Sequence, residues 1–223
     1  NISGPRSGCT NSIIPACGVL NVPYFYEGCT CSYPLPSGLA LVNMPAEHEQ
    51  WASWGPGSGD NIHRVGINFG APGDRMTEGG TLWLEYPSRG GASPDVRVTV
   101  EPETAAYFYR HSVWMHDGEG WPWVAASGLE GASAVTIGGL KPGQFTVRLH
   151  FAEPYDDSTS RKFAITFGGQ AAVSSMDVRD AAGGAMRSVV REFRGVDVDT
   201  ELRVNLMAIQ GKTLLCGAEL IRE

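Results

Sequence analysis

The sequence predicts an all-β fold, an antiparallel β-sandwich preceded by a cysteine-rich hairpin segment. Among the 223 residues are 29 glycines and 14 prolines, whereas only 18% are charged. Such a composition favours frequent turns over long charged helix faces. About nine segments with strand patterning lie between residues 62 and 223, and helix periodicity is weak and confined to "RDAAGGAM". Two stacked antiparallel sheets accommodate such a list of strands most economically.

The first 45 residues form the predicted hairpin segment. In "SIIPACGVLNVPY" and "CTCSYPLPSGLALVNMP" short apolar runs are broken by glycine and proline, as in two successive hairpins. Residues 46–61 lose this periodicity and are predicted to be a linker or a packed irregular loop. Because Trp51 and Trp54 are large apolar side chains, we expect this loop to lie against the following domain.

Residues 62–223 form the predicted sandwich. Strand candidates include "HRVGINFG", "GTLWLEYP" and "DVRVTVEP", and the last of these places Val96, Val98 and Val100 on one face. The later candidates are "SAVTIGGL", "GQFTVRLHFAE", "RKFAITFGG", "SVVREFRGVDV", "ELRVNLMAI" and "LLCGAELI".

Four of the five cysteines, Cys9, Cys17, Cys29 and Cys31, cluster in the hairpin segment. An even number of cysteines in a loop-rich segment favours disulfides and an oxidising compartment. The alternatives are a metal site or free thiols, although the spacing lacks the C-x2-C pairs of zinc ribbons. Cys216 lies in an apolar strand pattern, which predicts a buried, inert thiol.

The net charge of −7, without any run of basic residues, argues against nucleic acid or an anionic membrane as a partner. Neutral ligands fit this charge better. No stretch approaches the roughly 18 apolar residues that would cross a bilayer. The first residues lack the apolar core of a signal peptide. Because the clustered cysteines favour an oxidising compartment, we expect a secreted protein, extracellular or periplasmic, whose signal peptide has already been removed.

The strands "GQFTVRLHFAE", "KFAITFGGQ", "VVREF", "LRVNL" and "LCGAELI" follow one another as they do in malectin and malectin-like domains. The earlier "INFGAPGDRMTEGGTLWLEYP" is similar to the opening of that family. The resemblance covers residues 62–223 and implies a malectin-like jelly-roll sandwich. It also implies noncatalytic binding of a poly- or oligosaccharide through loop aromatics and carboxylates.

By this resemblance Tyr155 stands where the family places an aromatic residue after "FAE". Aromatic rings stack on the C–H faces of sugars, and carboxylates accept hydrogen bonds from hydroxyls. Asp156 and Asp157 are therefore candidate acceptors next to Tyr155. The alternative is a solvated turn, because Pro-Tyr-Asp-Asp also suits a turn.

Two further regions correspond to ligand contacts of the family. Asp74 and Arg75 lie in the opening loop and are candidates, whereas Trp83 alternates with leucines and is predicted to pack in the core. Near the end, where malectins carry an acidic residue, this chain has Gln210, Gly211 and Lys212. That sugar contact is therefore predicted to be absent.

The segment "AAYFYRHSVWMHDGEGWPWVAAS" concentrates tyrosine, phenylalanine and tryptophan between two strands. It could be an exposed stacking platform for a polysaccharide. Alternatively, it could be a long loop that buries its own aromatics. Trp121 is the strongest candidate for exposure, because glycine and proline surround it.

The cysteine-rich head resembles the last blade of secreted bacterial β-propellers of the pyrroloquinoline-quinone-dehydrogenase-like type, on the stretch "GCTNSIIPACGVLNVPYFYEGCTCSYPLPSGLALV". This resemblance implies a bacterial protein and a larger propeller-containing polypeptide as a partner. A single blade remnant cannot close a propeller, so no cofactor is carried over.

Three functions follow from the sequence. Carbohydrate binding is the main prediction. The alternative is an interaction module that assembles through its cysteine-rich strands, with a propeller or with other copies of itself. The third is a polysaccharide-active enzyme using Glu153 with Asp156 and Asp157. No cofactor is expected, except that carboxylates so close in sequence could hold a structural calcium ion.

Overall fold

The computed structural model describes residues 13–23, 39–42, 49–52, 63–88, 96–157, 160–168 and 170–223. The chain divides into two compact units, residues 1–48 and residues 49–223. Cys9, Cys29, Cys31 and Trp54 lie outside the described residues.

The elements, in chain order, are β1 (Ile14–Ala16), β2 (Val19–Val22), β3 (Leu39–Val42), β4 (Arg64–Phe69), β5 (Arg75–Met76), β6 (Leu82–Tyr86), β7 (Arg97–Glu101), β8 (Ala106–Tyr109), a 3-10 helix (Ser112–Trp114), β9 (Asp117–Gly118), α1 (Pro122–Ala125), β10 (Ser127–Glu130), β11 (Ala134–Gly138), β12 (Gly143–Ala152), β13 (Lys162–Phe167), β14 (Gln170–Asp177), α2 (Val178–Ala182), β15 (Arg187–Val198), β16 (Glu201–Gln210), β17 (Leu214–Leu215) and β18 (Gly217–Arg222). Within the described residues, neither α-helix is long and apolar enough to cross a membrane.

The first unit contains an antiparallel sheet with the strand order β1-β2-β3. Its first turn consists of Cys17 and Gly18, which have positive φ values of 52° and 73°. The thiol of Cys17 is exposed and forms no disulfide with another described cysteine. The predicted pairing with the other clustered cysteines stays a prediction.

The second unit is built from two main sheets. The seven-stranded sheet has the order β5-β6-β4-β18-β12-β15-β9, and the five-stranded sheet has the order β14-β13-β16-β11-β7. A smaller sheet, β17-β10-β8, lies at one end. Most neighbouring strands are antiparallel, whereas β4 with β6 and β15 with β9 are parallel. The predicted all-β fold is confirmed.

Alternation along the strands produces the core between the sheets. In β12 the side chains of Phe145, Val147, Leu149 and Phe151 are fully buried, whereas Thr146 and Arg148 are half-exposed. Facing side chains from the five-stranded sheet include Val135, Ile137 and Val204. In β7 the valines likewise turn inward and Arg97 and Thr99 are exposed, as their alternation predicts. Cys216 is also fully buried, as predicted, and burial raises the pKa of its thiol to about 12.

Trp83 of β6 is fully buried, so its predicted place in the core is confirmed. Its ring covers Gly66 of the neighbouring strand β4, and a Cβ atom there would lie 2.2 Å from Trp83 Cδ2. Real Cβ atoms do not approach other heavy atoms so closely, hence only glycine fits opposite this ring.

We therefore expect Gly66→Ala to lower the free energy of unfolding by about 1–3 kcal/mol, the usual cost of overpacking a core. Gly138→Ala is the control, because its Cβ would meet no described atom closer than 3.8 Å. Urea denaturation of both variants measures the difference. Equal losses in the two variants would contradict this account of Gly66.

Candidate ligand-binding site

The segment that follows β12 carries the predicted ligand residues Tyr155, Asp156 and Asp157, which we call the tip. A buried ion pair anchors this segment. The Glu153 side chain is 0% exposed and that of Arg161 is 4% exposed. Arg161 donates from Nε to Glu153 Oε2 at 2.6 Å and from Nη2 to Glu153 Oε1 at 3.0 Å. Since Arg161 directly precedes β13 of the opposite sheet, this bidentate pair fastens the two sheets together below the tip.

Glu130, at the end of β10, extends the ion pair to the predicted ligand residue. Its Oε1 accepts a hydrogen bond from Arg161 Nη2 at 2.9 Å. Its Oε2 accepts a hydrogen bond from the Tyr155 hydroxyl at 3.4 Å. Burial and the charge of Glu130 raise the pKa of Tyr155. The hydroxyl therefore remains a protonated donor at neutral pH.

Arg179 of α2 holds the backbone of the tip. Its Nη2 donates to the carbonyl oxygen of Tyr155 at 2.8 Å and also to that of Asp157. Helix α2 starts at an N-cap, where the Asp177 carboxylate accepts from the Asp180 N–H at 3.2 Å, and it ends at Gly183 with a φ of 73°. These ends fix α2 and thus the position of Arg179.

Arg110 belongs to residues 105–127, which we call the aromatic segment, and it contacts the tip. Its Cζ lies 5.4 Å from the centroid of the Tyr155 ring and 5.9 Å from that of Trp114. Both distances are within the range of cation–π contacts. Tyr155, 45 positions after Arg110 in the chain, and Trp114 thus contribute to one surface.

The aromatic segment is partly buried and partly exposed. Trp123 is only 5% exposed, whereas Tyr109, Trp114 and Trp121 are 47%, 54% and 40% exposed. The segment thus buries some of its aromatic side chains, such as Trp123, and exposes others, such as Trp114. Helix α1, directly after Trp121, packs against the 3-10 helix that contains Trp114. The exposure predicted for Trp121 is confirmed.

The buried part of the segment supports Trp121 from below. The ring centroids of Trp121 and Trp123 are 5.8 Å apart. Trp123 contacts the rings of Trp51 and Trp83 edge to face, and the Arg75 guanidinium lies 4.7 Å from its centroid. As expected, Trp51 lies against the sandwich.

Glu49 fixes the outer rim of the aromatic segment. Its carboxylate accepts hydrogen bonds from the Tyr109 hydroxyl at 2.8 Å, the Ser112 N–H at 2.5 Å and Trp51 Nε1 at 3.2 Å. Burial and the contact with Glu49 raise the pKa of Tyr109 to about 12. The tyrosine therefore keeps its proton and donates to Glu49.

The other predicted residues have different positions. The carboxylates of Asp156 and Asp157 are exposed beside Tyr155. Asp74 is only 1% exposed, and its Oδ1 accepts a hydrogen bond from the Glu85 N–H at 2.8 Å. A buried carboxylate engaged with the backbone has a structural role, so we do not place Asp74 in the ligand site. Gln210, Gly211 and Lys212 are all exposed.

Arg110, Glu130, Arg161 and Arg179 were not predicted from the sequence to be part of the site. Each contacts the tip, or Glu153 below it, from another part of the chain, 8 to 45 positions away. Among the described residues, no three or more His, Cys, Asp or Glu side chains are grouped to hold a metal ion.

The family model described as Malectin domain matches residues 134–220 of this chain. No curated protein sequence matches the chain as a relative. The resemblance of the head to a propeller blade gains no support from these comparisons.

Solved structures show the same fold at low sequence identity. The structure of Bacteroides uniformis beta-glucuronidase superimposes with a TM-score of 0.56 at 14% identity, covering 92% of this chain and 22% of that protein. The extracellular domain of ANXUR2 from Arabidopsis thaliana gives a TM-score of 0.55 at 14% identity, covering 83% of this chain and 57% of that one. This chain thus spans less than two thirds of either protein. It has an all-β, malectin-like fold, and residues 134–220 match the Malectin domain.

Proposed function

We propose that the protein binds a poly- or oligosaccharide, without catalysis, at the surface formed by Tyr155, Asp156, Asp157, Trp114 and Trp121. The single observation that supports this most is the position of Arg110 between the Tyr155 and Trp114 rings. It joins the tip and the aromatic segment into one exposed surface.

The chemistry of this surface suits sugars. The exposed faces of Trp114 and Trp121 offer stacking area to the C–H faces of pyranose rings. The carboxylates of Asp156 and Asp157 are exposed acceptors for hydroxyls. Because the tip backbone is already held by Arg179, binding would order few additional groups.

We expect Tyr155→Ala to weaken binding at least about fivefold, which corresponds to about 1 kcal/mol of lost ring stacking. The measurement is a screen of the protein against soluble and insoluble polysaccharides, followed by titration calorimetry of each glycan that binds. Trp114→Ala should weaken the same glycan. Met207→Ala is the control, because Met207 is 61% exposed on the outer face of the five-stranded sheet.

If no glycan binds, or if Tyr155→Ala and Met207→Ala bind a glycan equally well, the tip is a solvated turn and the proposal is wrong. Circular dichroism of each variant would show that its fold is intact.

An enzymatic function finds no support in the geometry. The predicted acid–base group Glu153 is fully buried, and its carboxylate accepts hydrogen bonds from Nε and Nη2 of Arg161. A general acid or base has to reach the bond that it acts on. We therefore do not propose a glycosidase.

A second candidate function rests on the first unit. Ile13, Ile14 and Leu20 are 51%, 49% and 37% exposed around its small sheet. Apolar side chains at a sheet of this kind favour assembly with another protein or another copy. Ile14→Asn would then reduce the mass of any oligomer measured by light scattering, and an unchanged mass would exclude this role. The cysteine cluster supports a secreted location for either function.

A further inference from the structure

His150 of β12 is buried on the outer face of the seven-stranded sheet, beneath a short exposed segment. Its neighbours Leu149 and Phe151 point into the core between the sheets, so the His150 side chain points away from that core. It is nevertheless only 2% exposed. Residues 118–121, which we call the strap, cover it, because a Cβ atom on Gly120 would lie 2.8 Å from His150 Cε1 and Nδ1. The backbone of the strap thus rests directly on the imidazole ring.

Hydrogen bonds to β15 hold the strap on the sheet. Gly118 pairs with Ser188, the Glu119 N–H donates to the Ser188 carbonyl at 3.0 Å, and Ser188 Oγ donates to the Glu119 carbonyl at 2.7 Å. The Glu119 carboxylate accepts a hydrogen bond from the Val190 N–H at 2.8 Å. All four residues of the strap are exposed. A segment with exposed side chains and so few hydrogen bonds opens locally at a smaller cost in free energy than global unfolding.

A proton on His150 would find no acceptor beneath the strap within the described part of the chain. Neither ring nitrogen has a hydrogen-bond partner there, and the ring contacts Trp83 edge to face with 5.1 Å between the centroids. Arg148, two positions earlier on the same face of β12, places a positive charge nearby. It is paired with Glu192 at 2.7 Å and with Glu219 at 3.3 Å. Because these carboxylates are engaged with Arg148, protonation of His150 would add a second positive charge without a counter-charge of its own.

Two further carboxylates come from the elements packed around His150. That of Glu119, in the strap, accepts from the Val190 N–H. Glu85 of β6 lies level with His150 but three strands away, which is about 14 Å across the sheet. Helix α1, with the sequence "PWVA", also packs against β12 and brings no charged side chain. Burial, and secondarily the charge of Arg148, therefore lowers the pKa of His150 to about 4.

We propose that the strap leaves the sheet when His150 takes up a proton, and that Trp121 at its end moves with it. The Trp121 ring then loses its support on Trp123, whose ring centroid lies 5.8 Å away in the closed strap. Since Trp121 belongs to the proposed carbohydrate-binding surface, acid weakens binding of the glycan. This last step rests on the proposed function, whereas the opening of the strap does not.

The direction of the effect follows from proton linkage. Once the strap is open, His150 is in water, where the pKa of histidine is about 6.5. Under the closed strap its pKa is about 4, so the open state binds the proton more readily between these values and the closed state is fully favoured only above about pH 6.5. The ratio of open to closed strap therefore rises about 100-fold from pH 7 to pH 4. A strap that is open in about 1% of molecules at pH 7 is then open in about half of them at pH 4.

The first test measures amide hydrogen exchange of the full chain, labelled with 15N, at pH 7 and pH 4. Each rate is divided by that of an unstructured peptide at the same pH, which gives a protection factor. The protection of the Glu119 amide, which donates to Ser188, should fall at least about tenfold further in the parent protein than in His150→Gln. His150→Phe is a second variant that cannot take up the proton. His116→Gln is the control and should behave like the parent protein, because His116 is exposed just before the strap.

The Val147 amide, in the middle of β12, reports on global unfolding. If the amides of Glu119 and Val147 are equally protected at both pH values, the strap opens only when the whole domain unfolds, and the proposal is overturned. It is also overturned if His150→Gln and His150→Phe lose as much protection of the Glu119 amide as the parent protein does.

The second test is titration calorimetry, at pH 7 and pH 4, of a glycan that binds the protein in the polysaccharide screen. We expect the affinity of the parent protein to fall at least about twofold further than that of His150→Gln. Equal losses of affinity would overturn the coupling between the strap and the binding surface. If no glycan binds, the proposed function is wrong, and the exchange rates still decide whether the strap opens.

Discussion

Replacing Arg161 with methionine is expected to lower the free energy of unfolding by about 3–5 kcal/mol. The Arg161 guanidinium lies between Glu153, which is 0% exposed, and Glu130, whose side chain is 11% exposed. Methionine fills a similar volume but leaves both carboxylates without a counter-charge in the interior. Removing one partner of a buried pair costs far more than the pair contributes in net stability, because the remaining charge stays desolvated.

Arg161→Lys separates charge from geometry. Lysine keeps the positive charge but lacks the planar fork that contacts two oxygens of Glu153 and one of Glu130 at once. We expect a loss smaller than that of Arg161→Met but still measurable by urea denaturation. Because Arg161→Met could prevent folding altogether, the lysine variant keeps the prediction open to measurement.

The comparison variant is Arg203→Met. Arg203 also contacts a carboxylate bidentately, at 2.7 and 2.8 Å from Glu101, but it lies at the surface. Exposed pairs contribute little, so this variant should differ only slightly from the parent protein. Similar losses for Arg161→Met and Arg203→Met would mean that the buried network does not fasten the sheets as described.

Strand patterning predicted most of the sandwich because burial on one face of a strand appears directly in its sequence. The alternation in β7 and β12 is reproduced by the buried and exposed residues. Short elements such as β9 and β17, each of two residues, carry no such pattern. The same holds for the parallel pairing of β4 with β6, which depends on contacts between separate segments.

The candidate site was predictable only in part. Tyr155 and Trp121 could be selected, because a loop aromatic next to turn residues is visible in the sequence. Glu153 was considered as a catalytic or calcium-binding carboxylate, but it is buried, since Arg161 from the opposite sheet compensates its charge. Nothing in the local sequence of an arginine indicates which distant carboxylate it will contact. The network below the tip could therefore be found only from the structure.

The stability of the protein is expected to fall by about 3 kcal/mol between pH 6.5 and pH 4 through His150 alone. His150 is only 2% exposed in β12, and its ring contacts Trp83 edge to face at 5.1 Å between centroids. Among the described residues, neither ring nitrogen has a hydrogen-bond partner.

Burial, and secondarily the charge of Arg148, lowers the pKa of His150 to about 4. A folded-state pKa below that of the unfolded chain means that the unfolded chain binds the proton more readily between these two values. The contribution of a neutral His150 is therefore complete above about pH 6.5 and is lost progressively as the pH falls towards 4.

His150→Phe should remove this part of the pH dependence while keeping an aromatic ring against Trp83. The measurement is the free energy of unfolding in urea at several pH values from 4 to 7, for the parent protein and the variant. Carboxylates titrate in the same range in both proteins, so only the difference between the two curves reports on His150. Phenylalanine is larger than histidine, but a packing cost shifts the whole stability curve without changing its dependence on pH. Two curves that remain parallel across this range would show that His150 takes up its proton as readily in the folded protein as in the unfolded chain.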